Sequence, residues 1–245
     1  MRCSVSEPYL LLWLEAPLQA WGHDSKFGRR DSLDFPTKSG VLGLLCCALG
    51  AAGEQTEWLS RWANRDMVVE AYVCQDKQGL PVSRLPMLRD FHMVGSGYDD
   101  KDPWQSLLIP KTSDGKKAVG GGAKMTYRYY LQDMAFAVAL QGPLTELETL
   151  QEALQNPVWD LYLGRKNCAP TELIEQGIHA NLEATRHHAT ALATCEERDV
   201  KRVALFQVLQ GVHEGNEVLT LNDVPLQFGA HKLYRDRRVT VLVND

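Results

Sequence analysis

Residues 135–164, AFAVALQGPLTELETLQEALQNPVWDLYLG, read as strand, helix and strand in succession. Ala135 to Leu140 is a short apolar run of strand length. Thr145-Glu146-Leu147-Glu148 fits a capping box, with Thr at the cap and Glu three positions on. Leu147, Leu150 and Leu154 then share one helical face until Pro157 stops the helix. Trp159 to Leu163 (WDLYL) is the next strand-like stretch, and Gly164 ends it.

Toward the N-terminus the same succession occurs once more. Tyr9 to Leu14 (YLLLWL), bounded by Pro8 and Pro17, is the continuous apolar run of a central strand covered on both faces. Ala16 to Pro36 has neither periodicity and is a long loop. Thr37 or Ser39 caps a helix through Gly50, because Val41, Leu42, Leu44, Leu45 and Leu49 recur at helical spacing. Gly40 and Gly43 each weaken that helix by up to ~1 kcal/mol relative to Ala, which points to close approach of another backbone or of a ligand. Glu57 to Asn64 is a second short helix, and Met67 to Cys74 (MVVEAYVC) a strand rich in Val and Tyr.

The order is therefore strand, helix, strand, strand, helix, strand, which is the ferredoxin-like β-α-β-β-α-β pattern of an α+β fold. Its core is expected to span 1–79 and 132–188. Residues 80–131 interrupt it with Pro81, Pro86, Pro103, Pro110 and Gly120-Gly121-Gly122, bracketed by Val82 to Val94 and Lys124 to Leu131. Two strands running out and back around a basic tip, an inserted β-hairpin arm, account for that pattern. From 189 to 245 the runs VALFQVL, EVLTL and VTVLV alternate and predict a C-terminal β appendage, a small antiparallel sheet.

With 245 residues, 44% hydrophobic and 23% charged, the chain can bury a core without a disulfide or metal staple. The six cysteines form no C-x-x-C pair, so no zinc site or disulfide framework is expected. The N-terminal apolar run is too short for a secretory core or for the roughly 20 residues of a membrane span, which predicts a cytoplasmic chain with no membrane partner. The net charge of -5 opposes nucleic-acid binding in the mean. Its distribution does not: Lys101 to Tyr130 holds six basic residues against two acids, whereas Thr145 to Val200 holds ten acids against four basic residues. Such polarity suits one basic and one acidic face.

Phe35-Pro36-Thr37-Lys38-Ser39-Gly40 ends a loop and opens a helix with free N–H groups, hydroxyls, a Lys and a Gly, the makings of a phosphate seat. It lacks the Walker spacing. Leu163-Gly164-Arg165-Lys166-Asn167-Cys168 aims two cations from a glycine turn. His92, in Leu88 to His92 (LRDFH), is the histidine to test as a general base. His187-His188 reads as surface. No nucleophile elbow, H-E-x-x-H or glycosidase carboxylate pair occurs.

Four motifs in order, PLQAWG at Pro17 to Gly22, FPTKSGVLGLLCCALG at Phe35 to Gly50, LRDFH at Leu88 to His92 and YLGRKNC at Tyr162 to Cys168, resemble the fifth family of CRISPR-associated proteins, subunits of type I-E Cascade complexes. Val224 to Tyr234 is a looser echo. The resemblance implies an RNA-recognition-motif-type fold whose arm is a thumb. It further implies binding to the 5′ repeat-derived handle of CRISPR RNA, a cap on the CasC backbone filament, contact with the large CasA subunit, indirect action on target DNA, and no cofactor. Single-stranded handles are held by phosphate contacts and stacked bases. Trp21, His92, Tyr127, Tyr129 and Tyr130 are candidates to stack. Gln19, Lys38, Ser39, Gly40, Arg89, Lys111, Arg128, Arg165 and Lys166 are candidates for the RNA backbone.

A non-catalytic clamp is the leading expectation. The rival is a metal-independent endoribonuclease, needing only a base for the 2′-OH and a cation for the developing charge, with His92 and Arg89 or Lys111 in those roles. A protein-only adaptor is the third reading.

Overall fold

The computed structural model describes residues 7–23, 25, 28–94, 101–107, 111–112, 114–116, 124–197, 200–214 and 217–243. The Gly120-Gly121-Gly122 run lies outside the described residues. The fold is a mixed α+β arrangement of two sheets. Strands β1 (Tyr9–Glu15), β2 (Leu18–Gln19) and β3 (Arg29–Arg30) precede helices α1 (Lys38–Leu49) and α2 (Thr56–Trp62). Next come β4 (Met67–Cys74), β5 (Leu88–Val94), the single turn α3 (Pro103–Ser106), β6 (Lys124–Gln132) and β7 (Ala135–Gln141). The chain continues through α4 (Leu144–Gln155), β8 (Glu175–His179), α5 (Leu182–Thr194), β9 (Arg202–Gln210), β10 (Glu217–Gln227) and β11 (Leu233–Val243).

The main sheet has seven strands in the order β10-β11-β9-β4-β7-β1-β8, every neighbouring pair antiparallel. β1 lies between β7 and the edge strand β8 with both of its faces covered, which is why its run of apolar residues is unbroken. Leu10, Leu12 and Leu14 enter the large core with α1 and α4, while Leu11 and Trp13 pack on the opposite face with Tyr72, Ala135, Ala137 and Ala189 and Ala193 of α5. Helix α1 is capped by Thr37, whose side chain accepts from the Gly40 N–H, and closes at Gly50 in the left-handed region at φ 66°.

Three expectations change. Residues 158–163 form no ladder; the strand beside β1 is β8, paired Tyr9↔His179, Leu10↔Ile178 and Leu12↔Glu175. The apolar side chains of WDLYL are spent elsewhere, Leu163 being buried in the core and Leu161 packed against it. β8 (EQGIH) is half-buried throughout and carries a Gly, so nothing in its pattern marks a strand, and pairing with β1 alone defines it. Helix α4 begins at Leu144 after Pro143 with no side-chain cap, so Thr145 sits inside the first turn, where Pro143 supplies a fixed φ. The C-terminal strands do not make a separate sheet: β9 pairs with β4 and extends the main one.

The second sheet is the arm. β5 and β6 pair antiparallel from Leu88↔Tyr130 to Val94↔Lys124, and β2 and β3 add to β6 near its base. Among the described residues, no helix is long and apolar enough to cross a membrane.

Candidate nucleic-acid interface

The phosphate seat expected at the start of α1 is filled from within. The Lys38 N–H donates to Asp223 Oδ2 at 2.7 Å, and the Gly40 N–H donates to Thr37 Oγ1 at 3.1 Å. Asp223 is buried and takes two further hydrogen bonds from Arg237, at 2.7 and 2.9 Å. The helix dipole thus meets a carboxylate of the chain's own C-terminal strands. Lys38 itself is fully buried, its Nζ donating to Ala63 O at 3.1 Å and Arg65 O at 2.6 Å, the carbonyls at the end of α2. Burial, and then the nearby Arg237, lowers its pKa to about 7. Lys38 is therefore a strut between α1 and α2, with no face toward a phosphate.

Gln19 and Trp21 are likewise interior. Gln19 Nε2 donates to Leu14 O and Met134 O, and its Oε1 accepts from Trp21 Nε1 at 3.2 Å. The Trp21 ring lies so close to Gly40 that a Cβ there would sit 2.8 Å from it. Gly40 is needed for that contact, and Trp21 has no face left for a base. Buried Tyr130 is excluded for the same reason, its hydroxyl accepting from Asn167 Nδ2 at 3.2 Å.

Arg165 is a clamp. Its Nη1 donates to Tyr129 O at 3.0 Å and its Nη2 to Arg30 O at 2.8 Å, while the guanidinium lies 4.6 Å from the Tyr130 ring centre. All three partners belong to the base of the arm. Gly164, at φ 91°, presses this turn onto the residue that follows β2: a Cβ would fall 1.6 Å from Ala20 O. The glycine turn holds the arm, and of its two cations Lys166 is the exposed one.

The sheet face bearing Trp13 and Tyr72 would be the place for stacked bases in an RNA-recognition-type domain. Here α5 covers it, and the two rings, 5.2 Å apart, are buried.

What stays open is the arm. Alternation puts Arg89, Phe91 and Met93 of β5 on one face with Tyr129, Tyr127 and Met125 of β6, since these pairs are in register. Phe91, Met93, Met125 and Tyr127 are all about half exposed, between 46% and 59%. Phe91 and Tyr127 are 5.4 Å apart; Arg89 lies 5.5 Å over Tyr127, and Arg29 lies 5.0 Å over Tyr129. Flat rings, planar guanidinium groups and thioethers on one exposed ribbon suit stacked, unpaired bases. The opposite face carries Asp90, His92, Thr126 and Arg128. His92 Nδ1 is 3.8 Å from Asp90 Oδ2, and Arg128 Nε donates to Thr126 Oγ1 at 3.4 Å.

The expected pair His92 and Arg89 thus falls on opposite faces of β5. Lys111 is exposed, and among the described residues no hydrogen bond or ion pair joins it to His92, whose ring faces Asp90. Phe91, Met93 and Met125 escape a reading of the arm as two strands without a register, and aligning LRDFHMV with KMTYRYY groups them; Arg29 joins them only through the pairing of β3 with β6. Ser39 is half-buried and, with Gly43, Cys47 and Tyr162, borders a groove between α1 and the segment leading to Lys166.

The chain is 31% identical over 202 residues to the CRISPR system Cascade subunit CasD of Escherichia coli (strain K12), covering 80% of this chain and 75% of that one. A chain of a solved CRISPR RNA-guided surveillance complex matches with a TM-score of 0.68 at 29% identity, over 96% of this chain and 90% of that chain. A crystal structure of a Cas protein matches with a TM-score of 0.58 at 27% identity, over 96% and 94%. The family model described as CRISPR-associated protein (Cas_Cas5) matches residues 9–240, so nearly the whole chain carries its pattern, and the protein belongs to that family.

Proposed function

We propose that this chain is the subunit of a type I-E CRISPR Cascade surveillance complex that grips the 5′ repeat-derived handle of the CRISPR RNA without cutting it. In this reading β8-β1-β7-β4 is a ferredoxin-like core, residues 80–131 are its thumb and 189–245 its β appendage. The subunit caps the CasC filament, meets CasA and serves DNA targeting in the cytoplasm. The observation that carries the reading is the exposed ladder of Phe91 and Tyr127 with Arg89 and Arg29 on the arm. Arg89 supplies positive charge there, Arg29, ion-paired with Asp31 at 2.7 Å, adds its planar group, and the rings accept bases of any sequence. Family membership and the likeness to CasD support it.

Binding of repeat-derived RNA to the full chain tests this. Tyr127→Ala with Phe91→Ala is expected to weaken binding by at least about 5-fold, the value of one lost base–ring stack. Unchanged binding, with no handle crosslink to the arm inside the complex, would favour the protein-only adaptor.

One observation keeps the ribonuclease as the second reading: His92 and Arg128 share the polar face of the arm with Asp90. Repeat RNA incubated with the chain in EDTA separates the two. Site-specific cutting abolished by His92→Ala would overturn the clamp.

A further inference from the structure

A second opening lies away from the arm ladder. Helix α1 presents Ser39, Gly43 and Cys47 on one side, at successive four-residue spacings. Facing them is the segment from Val158 to Lys166. Two cavities share Cys47 and Tyr162, one of about 210 Å³ reaching Ser39 and Gly164, the other of about 920 Å³ reaching Trp159, Asp160 and Lys166. They adjoin at those two residues, and the larger by itself has the size that ordinarily holds a small organic ligand, roughly 300–1,000 Å³.

The groove is kept open by two glycines acting in different ways. A Cβ on Gly43 would meet nothing within 4 Å, so the floor there is bare backbone facing empty space. Gly164 is pinned against Ala20 O on the far side and cannot swing in. Trp159, lining the larger cavity, is 45% exposed, and the chain turns into the core only at Leu161 and Leu163. A large aromatic left half in water beside a cavity is a candidate recognition element. Two opposite charges border the same space. Asp160 and Lys166 both line the larger cavity, and beside burial, the first cause, Asp160 raises the pKa of the Cys47 thiol while Lys166 lowers it. The Cys47 thiol also points at Asp160 O, 3.7 Å away.

Resting on the function proposed above, we propose that this groove between α1 and residues 158–166 seats one unpaired nucleotide of the guide RNA, apart from the arm ladder. Its base lies against Trp159 and Tyr162 over the glycine floor. Lys166 meets the phosphate, and Asp160 accepts from an exocyclic amino group, which disfavours uracil, the base that has none. Continuity supports RNA over a protein occupant: Arg165, next to Lys166, bonds Tyr129 O and Arg30 O, so the groove begins where the arm ladder ends. A protein segment would instead meet an exposed Lys and Asp at the centre, which association surfaces tend to lack.

Gly43→Leu is the decisive variant. It fills the groove from a position where a side chain has room, and replacing a glycine inside a helix raises stability, so folding is spared. Full-length chain is titrated with repeat-derived RNA, alongside Trp159→Ala, Trp159→Phe and the arm variant Tyr127→Ala, with thermal midpoints measured for each. Gly43→Leu and Trp159→Ala are expected to weaken binding between about 5-fold and 150-fold with midpoints equal or higher for Gly43→Leu, while Trp159→Phe retains most affinity. 6-Thioguanosine in the RNA, which keeps an exocyclic amino group, should crosslink to the 158–166 segment. Normal affinity in both groove variants with loss in Tyr127→Ala would overturn the groove and leave the clamp. Normal affinity in all variants would overturn both. Normal RNA affinity with loss of a partner subunit from the assembled complex would assign the groove to protein and overturn the proposal.

Discussion

The backbone N–H of Lys38 points at the Asp223 carboxylate, 2.7 Å away and 185 residues later in the chain. Asp223 in turn holds the Arg237 guanidinium with both oxygens, and both side chains are more than nine-tenths buried. The start of α1 is thereby tied to the last two strands. Asp223→Ala would leave a buried guanidinium and a buried N–H without their partner. Urea unfolding should show a loss of about 3–5 kcal/mol, and Arg237→Ala a comparable one. The double variant should lose clearly less than the sum; simple additivity would mean that the pair does not act as a unit.

Lys38 makes stability depend on pH. Its folded pKa, lowered to about 7 by burial, lies below the ordinary value of 10.5 that the unfolded chain keeps. Between these values the unfolded state binds more protons, so unfolding free energy rises with pH, by at most about 1.4 kcal/mol per unit from this group. Above pH ~9 the buried Cys46 thiol, raised to about 12, opposes the trend, because only the unfolded chain then loses that proton. Urea midpoints from about pH 7 to about pH 8.5 should therefore climb in the unaltered chain and stay flatter in Lys38→Met. Parallel profiles would mean that Lys38 keeps its proton throughout.

Glycines at positive φ should differ by what surrounds them. Gly164→Ala combines φ 91° with a contact to Ala20 O that no rotation relieves, and should lose more than about 2 kcal/mol. Gly229→Ala, at φ 76° with its nearest heavy atom 3.5 Å away, carries only the backbone strain and should lose about 1–2 kcal/mol. Equal losses would show that the turn at Gly164 can move away from β2.

Arg165 and Lys166 are neighbours with separable roles. Arg165→Lys cannot span Tyr129 O and Arg30 O together, so limited proteolysis should cut the arm, residues 88–132, faster with little change in global unfolding. RNA affinity should fall through misplacement of the arm, and its salt dependence should keep the same slope. Lys166→Ala should leave proteolysis alone and lower the slope of log K against log salt by about 0.7, one phosphate contact to a single strand. A shallower slope in Arg165→Lys would instead make Arg165 a phosphate ligand.

Much of the fold was legible because its signals are local. The bounds of α1 follow from Thr37, the spacing of its leucines and Gly50, and β4 and β7 from their β-branched and apolar runs. β8 was not legible: EQGIH is neither apolar nor alternating, and it is a strand only because β1 offers a free edge of N–H and C=O groups. For the interface, residue type was a poor guide. Lys38, Trp21, Gln19 and Arg165 have the chemistry of RNA ligands and spend it on carbonyls and rings of their own chain.

By itself the sequence determined the order of elements along most of the chain, the basic arm against the acidic 145–200 segment, and four motifs in the family's order. These are properties of neighbours along the chain, set by periodicity, capping and charge. Only the tertiary structure decided which polar groups are already satisfied. Asp223 reaches Lys38 through β10, α5 covers Trp13 and Tyr72, and the register of β5 on β6 brings Phe91 to Tyr127. A cation or an aromatic ring is available to a ligand only when folding leaves it exposed, and that depends on contacts far apart in sequence.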